Sequence, residues 1–227
     1  DLVTDADKAS EKLIMEILSD NFPEHSILAE EEDEKNRQSD YTWIIDPLDG
    51  TTNYAHNFPV YCVSIALMHK DEIISGVVYN PILDELFTAV IGGGAYLNGH
   101  EIKVSKTDEL KNSLLATGFP YDKADSDDDN LKYFAAFTKQ IRGIRRAGAA
   151  ALDLVHVACG RLDGYWEYKL KAWDIAAGVL ILMEAGGSVS GYDGKGPDIF
   201  KGEVAASNGI IHEQMLGVIK SVEEKKN

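Results

Sequence analysis

The sequence predicts a mixed α/β (α+β) fold in which strands and helices stack as alternating layers. Three observations carry this. The first half strings together apolar runs of strand length, "VYCVSIALMH", "EIISGVVYNP" and "ELFTAVIGGGAYLNG", with turn residues between them. The second half turns to small-residue and apolar segments at helical spacing, "AGAAALDLVHVACGRL" and "KAWDIAAGVLILMEAGG". No internal repeat and no Pro/Gly/Ser linker divides the 227 residues. A single domain is therefore expected over 1–227, in two halves of about 1–118 and 119–227 that share one cleft.

Each element has a local cause. In "DKASEKLIMEILSDNF", residues 7–22, Leu13, Ile14, Ile17, Leu18 and Phe22 recur at helical spacing, and Pro23 stops the helix. "SILAEEEDE", 26–34, opens as a short strand and runs into acids. "YTWIID", 41–46, reads as a buried strand that ends at Pro47, which has no N–H for a ladder. The next three runs read as a meander of antiparallel strands, turned at Lys70-Asp71, at Pro81 with Asp84, and at the glycines 92–94. "KNSLLATGF", 111–119, contains a strand. "ADSDDDNLKYFAAFTKQI", 124–141, is an acidic loop leading into a helix whose N-terminus the acids suit. Residues 147–162 form a buried helix and 163–168 a strand. Residues 171–187 form a helix entered at Trp173-Asp174 and ended by Gly186-Gly187. "VAASNGIIHEQMLGVIKSV" supplies a last strand and helix.

Hydrophobic content of 44% and charged content of 26% are those of an ordinary globular protein. The formal net charge is −16, from 38 acids and 22 bases, which argues against a general affinity for nucleic acid or an anionic membrane surface. No run approaches the ~20 apolar residues of a membrane span, and no signal peptide is visible. Cys62 and Cys159 lie in no CxxC or zinc-type cluster and read as reduced, buried residues of a cytoplasmic protein. HExxH, GxSxG, GxGxxG and GxxxxGK[ST] are all missing, which leaves little support for a zinc hydrolase, no serine-hydrolase elbow, and only weak dinucleotide and P-loop readings. Arg142, Arg145 and Arg146 form a basic patch suited to a solvated face, a dimer contact or an anionic ligand.

The chemistry concentrates in carboxylates. "WIIDPLDGTTNY", 43–54, drives three apolar residues into Asp46, then Pro47, Asp49 and Gly50. A strand end there can aim both carboxylates and the Leu48 carbonyl at one place, and such oxygens suit a hard divalent cation. Thr51-Thr52-Asn53 can open a short helix whose N–H groups face an anion, phosphate above all. Asp174 opens the helix at 171–187, where an N-terminal cap is its alternative use. Ala176, Ala177 and Gly178 behind it allow another element to pack close, and Glu184 reads as structural. One of Glu30, Glu31 and Glu32 sits at a strand end and can reach the same cleft. Asp5 and Asp7 in "DLVTDAD" read equally as helix caps.

These blocks resemble a known family. "DPLDGTTNY" is similar to the first signature of the inositol monophosphatase family and "WDIAAGVLILMEAGG" to the second. "DLVTDAD", "SILAEEE", "GVVYNPILDELFTA", "GGAYLNG" and "IRRAGAAALDL" fit in order and spacing, so the resemblance covers essentially the whole chain. It implies a layered αβαβα sandwich of the inositol monophosphatase/fructose-1,6-bisphosphatase type. It further implies a usually dimeric, Mg²⁺-dependent phosphomonoesterase, often inhibited by Li⁺.

Carried over residue by residue, the resemblance puts one Mg²⁺ on Glu30, Asp46 and the Leu48 carbonyl. A second falls on Asp46, Asp49 and Asp174, with about two or three ions in all. Thr51, supported by Asp7, helps activate the attacking water. The backbone N–H groups of Gly50 and Thr51 bind phosphate, and Gly148, Ala149, Ala150 and Glu167 line the pocket for the alcohol. Ala29, Tyr54, Ala149 and Lys171 depart from the usual Gly, Phe, hydroxyl residue and His. Lys171 leaves room for a more anionic substrate. The chain starts at the "DLVT" block, without the N-terminal helix and mobile metal-associated loop that the family carries.

The expected reaction is Mg²⁺-dependent hydrolysis of a small phosphorylated polyol, inositol monophosphate by default. NADP phosphatase, fructose-1,6-bisphosphatase or adenosine bisphosphate phosphatase activity is the alternative. A non-catalytic binding protein of the same fold would be expected to lose acids from this set, and all of them are present.

Overall fold

The computed structural model describes residues 3–31, 38–120 and 130–224. In chain order the first half holds α1 (Asp5–Asn21), β1 (Ser26–Ala29), β2 (Tyr41–Asp49), α2 (Thr51–Ala55), β3 (Cys62–His69), β4 (Glu72–Asn80), β5 (Glu85–Val90), β6 (Ala95–Leu97) and β7 (His100–Glu101). The second half holds β8 (Leu114–Thr117), α3 (Leu131–Thr138), β9 (Gly143–Arg145), α4 (Ala150–Ala158), β10 (Gly164–Tyr168), α5 (Ala172–Glu184), β11 (Ser188–Ser190), β12 (Glu203–Ser207) and α6 (His212–Glu223).

Two sheets result. The first runs β1 to β7 in sequence order, and the second runs β11-β12-β10-β8-β9. From β2 onward the first sheet is the expected antiparallel meander, while β1 joins its edge in parallel. The second sheet is mixed, with β8 parallel to both β9 and β10 and β12 antiparallel to both β10 and β11. Neither β9 nor β11 was foreseen. At three residues each they are too short to show an alternating pattern.

The layers follow from apolar faces. Met15 and Leu18 of α1 pack with Ile27 and Ile45 on the outside of the first sheet. Its inner face, with Ile44, Val78 and Phe87, meets Leu154 of α4 and Ile175 and Ile181 of α5. Outside the second sheet, Phe137 of α3 stacks on Trp166 at 4.1 Å between ring centroids, with Met215 and Ile219 of α6 beside them. The order is helix, sheet, helix, sheet, helix: the expected αβαβα sandwich. The small residues of α5 do allow close packing, Ala177 against Gly76 of β4 and Gly178 against Leu154 of α4.

Several local expectations need correction. β2 does not stop at Pro47. It continues to Asp49, with a register break after the Asp46–Ser64 pair that resumes at Asp49–Cys62. Pro47 offers no N–H, so the strand bulges there instead of ending. The first helix starts two residues earlier than its apolar spacing suggested. Thr4 caps it, with Asp7 completing a capping box. α5 likewise begins at Ala172, before Trp173-Asp174. The acids expected to favour the next helix, 125–129, lie outside the described residues. α3 itself starts after Asn130, whose side chain is used elsewhere, taking the Trp166 indole N–H (2.9 Å) and donating to Thr117 Oγ1 (2.7 Å). Cys159 is half-buried and not fully buried, because it ends α4; both cysteines are free thiols. Among the described residues no helix is long and apolar enough to cross a membrane.

Candidate active site

The bulge at the end of β2 builds the first wall. Beyond Pro47 the chain turns inward, and Leu48 N–H donates to Asp46 Oδ1 at 2.9 Å. Asp46 is 2% exposed. Asp49 points across to the start of α4, where its carboxylate accepts Ala150 N–H (3.2 Å) and Ala151 N–H (2.8 Å). The Cys62 thiol donates to the same carboxylate at 3.6 Å. A helix N-terminus is a favourable place for a carboxylate, which makes this deep position tolerable.

Gly50 then takes φ +96°, and a Cβ there would stand 2.9 Å from the Val60 carbonyl oxygen, so only glycine can make the turn. The short α2 follows, as "GTTN" suggested. Its first N–H groups have no partner within the helix. Thr51 Oγ1 lies 2.9 Å from Asp7 Oδ1 and 3.0 Å from the Leu48 carbonyl oxygen, and it can donate to either. Asp7 is fully buried. Its other oxygen accepts Thr4 N–H at 2.8 Å, so the helix cap and the contact with Thr51 are one carboxylate's two uses.

Asp174 also does two things. It sits at the third position of α5 and accepts Lys171 N–H at 2.7 Å, the capping use. Its charge also reaches Glu30, Asp46 and Glu167. Glu30, directly after β1, joins this cluster through a hydrogen bond with Asp46. Glu30 is exposed at this end of the strand. Glu31 turns elsewhere: its N–H donates to Glu11 (3.0 Å), and its carboxylate feels chiefly Asp7 and Glu11. Glu32 lies outside the described residues.

The electrostatics show a cluster of acids crowded together. Burial pushes Glu30 up to about 8, with repulsion from Asp174, Glu31 and Asp49 added and the Asp46 hydrogen bond opposing. Burial raises Asp46 well above the carboxylate range, reinforced by Asp49, Glu30 and Asp174. Asp49 rises to about 7 through burial and Asp174, despite its N–H donors. Asp174 rises to about 6 through burial, held back by Lys171.

The second wall comes from α4 and β10. Gly148, Ala149 and Ala150 form the entry to α4, and Asn53 Nδ2 ties that entry to α2 by donating to the Ala147 (2.9 Å), Gly148 (3.3 Å) and Val60 (2.7 Å) carbonyls. Glu167 accepts the Tyr165 hydroxyl at 2.6 Å, and burial pushes it up to about 7. Behind it stands Asp153, buried and raised well above its usual range by burial and by Glu167, with Arg146 opposing. Lys171 is exposed at the head of α5.

Sequence reasoning missed Tyr165, Gly118, Asp153, and the bridging by Asn53. Tyr165 was within reach, since it lies two residues from Glu167 on one face of a strand. Gly118 carries no signal in the chain. A Cβ there would fall 2.1 Å from Glu167 Oε2.

The donor set fits a hard cation. Glu30, Asp46, Asp49, Asp174 and the Leu48 carbonyl offer oxygen only, and the carboxylates raise one another, so a divalent cation would relieve them. Among the described residues no three acidic, histidine or cysteine side chains already close into a metal cage. Mg²⁺ keeps several waters and does not need an all-protein cage.

The layered fold, together with the relatives it matches, puts the chain in the class of phosphoric monoester hydrolases. The match to the inositol monophosphatase family runs over residues 1–225, and the chain belongs to that family, whose members are generally metal-dependent. It is 50% identical to an inositol-1-monophosphatase of Synechocystis sp., over 95% of this chain and 75% of that protein. It is 43% identical to the Nus factor SuhB of Pseudomonas aeruginosa, over 97% of this chain and 83% of that one. Among solved structures, inositol monophosphatase from Anabaena (Nostoc) sp. superposes with a TM-score of 0.94 at 50% identity, covering 96% of this chain and 87% of the other.

Proposed function

We propose that this protein hydrolyses a small phosphomonoester with the help of Mg²⁺, converting inositol monophosphate to inositol and phosphate. The observation that carries the reading is the meeting of four mutually repelling carboxylates with the Thr51–Asp7 pair at the head of α2. Glu30, Asp46 and the Leu48 carbonyl would hold one ion, and Asp46, Asp49 and Asp174 a second. Bound there, Mg²⁺ supplies Lewis-acid neutralisation of the phosphoryl oxygens.

The chain's own groups do the rest. Backbone N–H groups of Gly50 and Thr51 orient the phosphate. Thr51 Oγ1, with its proton directed to Asp7, offers a lone pair to a water and aligns it for attack, and Glu30 stands by as a proton acceptor. Glu167, with Gly148, Ala149 and Ala150, positions the alcohol. We place the phosphate and metal motif in the first half of one domain and the alcohol pocket and second metal motif in the other. A cytoplasmic homodimer is the proposed setting.

A second substrate class rests on Lys171. Its charge reaches Asp174 from an exposed position, which favours a substrate with extra negative charge, such as NADP or fructose 1,6-bisphosphate. Phosphate release from inositol monophosphate, fructose bisphosphate, NADP and adenosine bisphosphate, with and without Mg²⁺, tests both readings. Mg²⁺-dependent turnover of inositol monophosphate is expected. Undiminished turnover in excess chelator would refute the mechanism, and Lys171→Ala should cost the more anionic substrates most.

A further inference from the structure

Away from the acidic cleft, the C-terminal half of α5 forms one wall of an apolar groove of about 540 Å³. The turn between β3 and β4, Ile91 after β5, and residues 197–200 before β12 complete it. Val179, Leu180 and Ile199 are buried at its floor. Its rim exposes large apolar side chains: Phe200 is 63% exposed, Met183 47% and Ile91 43%. Isolated exposed apolar residues are ordinary on a protein surface, but a contiguous set around a cavity marks an interaction site. Met68 and Met183 both line the groove, and the thioether side chain adapts readily to an incoming surface.

The charge around this groove is one-signed. Among the described residues its ionisable lining is Asp71, Glu72, Glu184 and Asp198, all acidic. Glu184 accepts Gly92 N–H and Gly94 N–H, each at 2.8 Å, and Asp198 accepts Phe200 N–H at 3.0 Å. Those bonds fix two acids in place without neutralising them. The neighbouring bases pair with acids outside the groove, Lys70 with Asp40 (3.9 Å), Lys103 with Glu101 (2.7 Å) and Lys201 with Asp193 (3.5 Å) and Glu203 (3.2 Å), and of these Lys103 also acts on Glu184 at longer range.

We propose that this groove docks a basic amphipathic helix of another protein. Apolar side chains at i, i+3 or i+4, and i+7 fill the groove, and Lys or Arg on the flanks meets the four acids. Other occupants match less well. A second copy of this chain brings a net charge of −16 to an acid rim, and an anionic lipid surface meets the same repulsion.

The test uses the whole protein and a fluorescent synthetic peptide of about 15 Leu and Lys residues at helical spacing. Anisotropy at near-physiological salt should give a Kd of about 10 µM. Met183→Asp and Phe200→Asp each add a negative charge to an exposed position. Attraction by charge alone would then strengthen binding, whereas loss of the apolar seat weakens it about tenfold or more. Asp71→Lys combined with Glu72→Lys also weakens it. A Lys/Gly peptide without leucine and a Leu/Glu peptide should both fail to bind. Unchanged phosphate release by each variant shows that the fold is kept. Equal binding by the Asp variants, or by the Lys/Gly peptide, overturns the proposal. So does wild-type self-association in sedimentation that Met183→Asp abolishes, since a second copy would then occupy the groove.

Discussion

The two walls of the cleft hold their acids in different ways. At the end of β2, Asp46, the Leu48 carbonyl, Asp49 and Thr51 come from one contiguous stretch, shaped by Pro47 and Gly50. On the other side, Glu167, Asp153 and the α4 entry come from separate elements and depend on Tyr165, Asn53 and the space at Gly118. The first wall is made by local backbone geometry, and the second by packing between layers. The difference teaches where a change should remove the chemistry outright and where it should only loosen the fit of the substrate.

The largest effect should follow Asp49→Asn. The amide keeps the size of the side chain and can still accept from Ala151 N–H, but it removes an anionic donor from the centre of the cluster. Phosphate release should fall by about 10³-fold or more while the protein still folds, the relief of a buried charge offset by the Ala150 N–H that then faces the amide NH₂. Substantial turnover in this variant would place the chemistry on the other wall.

Thr51→Ala comes next. It breaks the contacts to Asp7 and to Leu48 without touching the carboxylates, so kcat should drop about 10²- to 10³-fold with little change in KM. An effect confined to KM would make Thr51 a substrate-binding residue only.

Metal removal should reveal how the acids are held. Without a divalent cation Glu30, Asp49, Glu167 and Asp174 sit at about 8, 7, 7 and 6, all above their unfolded values. The folded chain then binds more protons than the unfolded chain, so stability falls as pH rises. The contribution is full below about pH 4 and is lost as pH climbs through about 6 to 8. In chelator, the melting temperature should therefore be lower at pH 8 than at pH 5.5, and MgCl₂ should raise it more at pH 8. An equal Mg²⁺ increment at both pH values would contradict this account of the cluster.

Tyr165→Phe should have the smallest effect and belongs to the second wall. Glu167 loses its hydroxyl donor, at a cost of about 1–3 kcal/mol for the unmet carboxylate. KM for the polyol should rise several-fold with kcat nearly kept. A kcat collapse would mean that Glu167 acts on the reacting atoms.

The meander was readable because β3, β4 and β5 are long enough to alternate and are bounded by turn residues. The three-residue strands β9 and β11 were not, since pairing alone defines them. Pro47 was read as a terminus because the missing N–H was weighed without the bulge that absorbs it. Asp7 was read equally as a cap and Asp174 as more than a cap; each caps its helix, and Asp7 also meets Thr51 while the charge of Asp174 reaches Asp46. Cap geometry and cleft geometry are not exclusive when a helix begins at the cleft.

By itself, the chain determined the layered α/β class, the oxygen-rich character of the site and the turn that bends Asp46 and Asp49 inward. These depend on residues within a few positions of one another. The resemblance had already paired Thr51 with Asp7, 44 positions away, and the structure joins them at 2.9 Å; tertiary structure alone decided that Asp49 rests on the N-terminus of α4, 102 positions on. Glu30, which the resemblance had already preferred to Glu31, is the one of the two whose carboxyl interacts with Asp46, Asp49 and Asp174. Burial and charge repulsion act through space, and a one-dimensional pattern does not record which side chains the folded layers bring face to face.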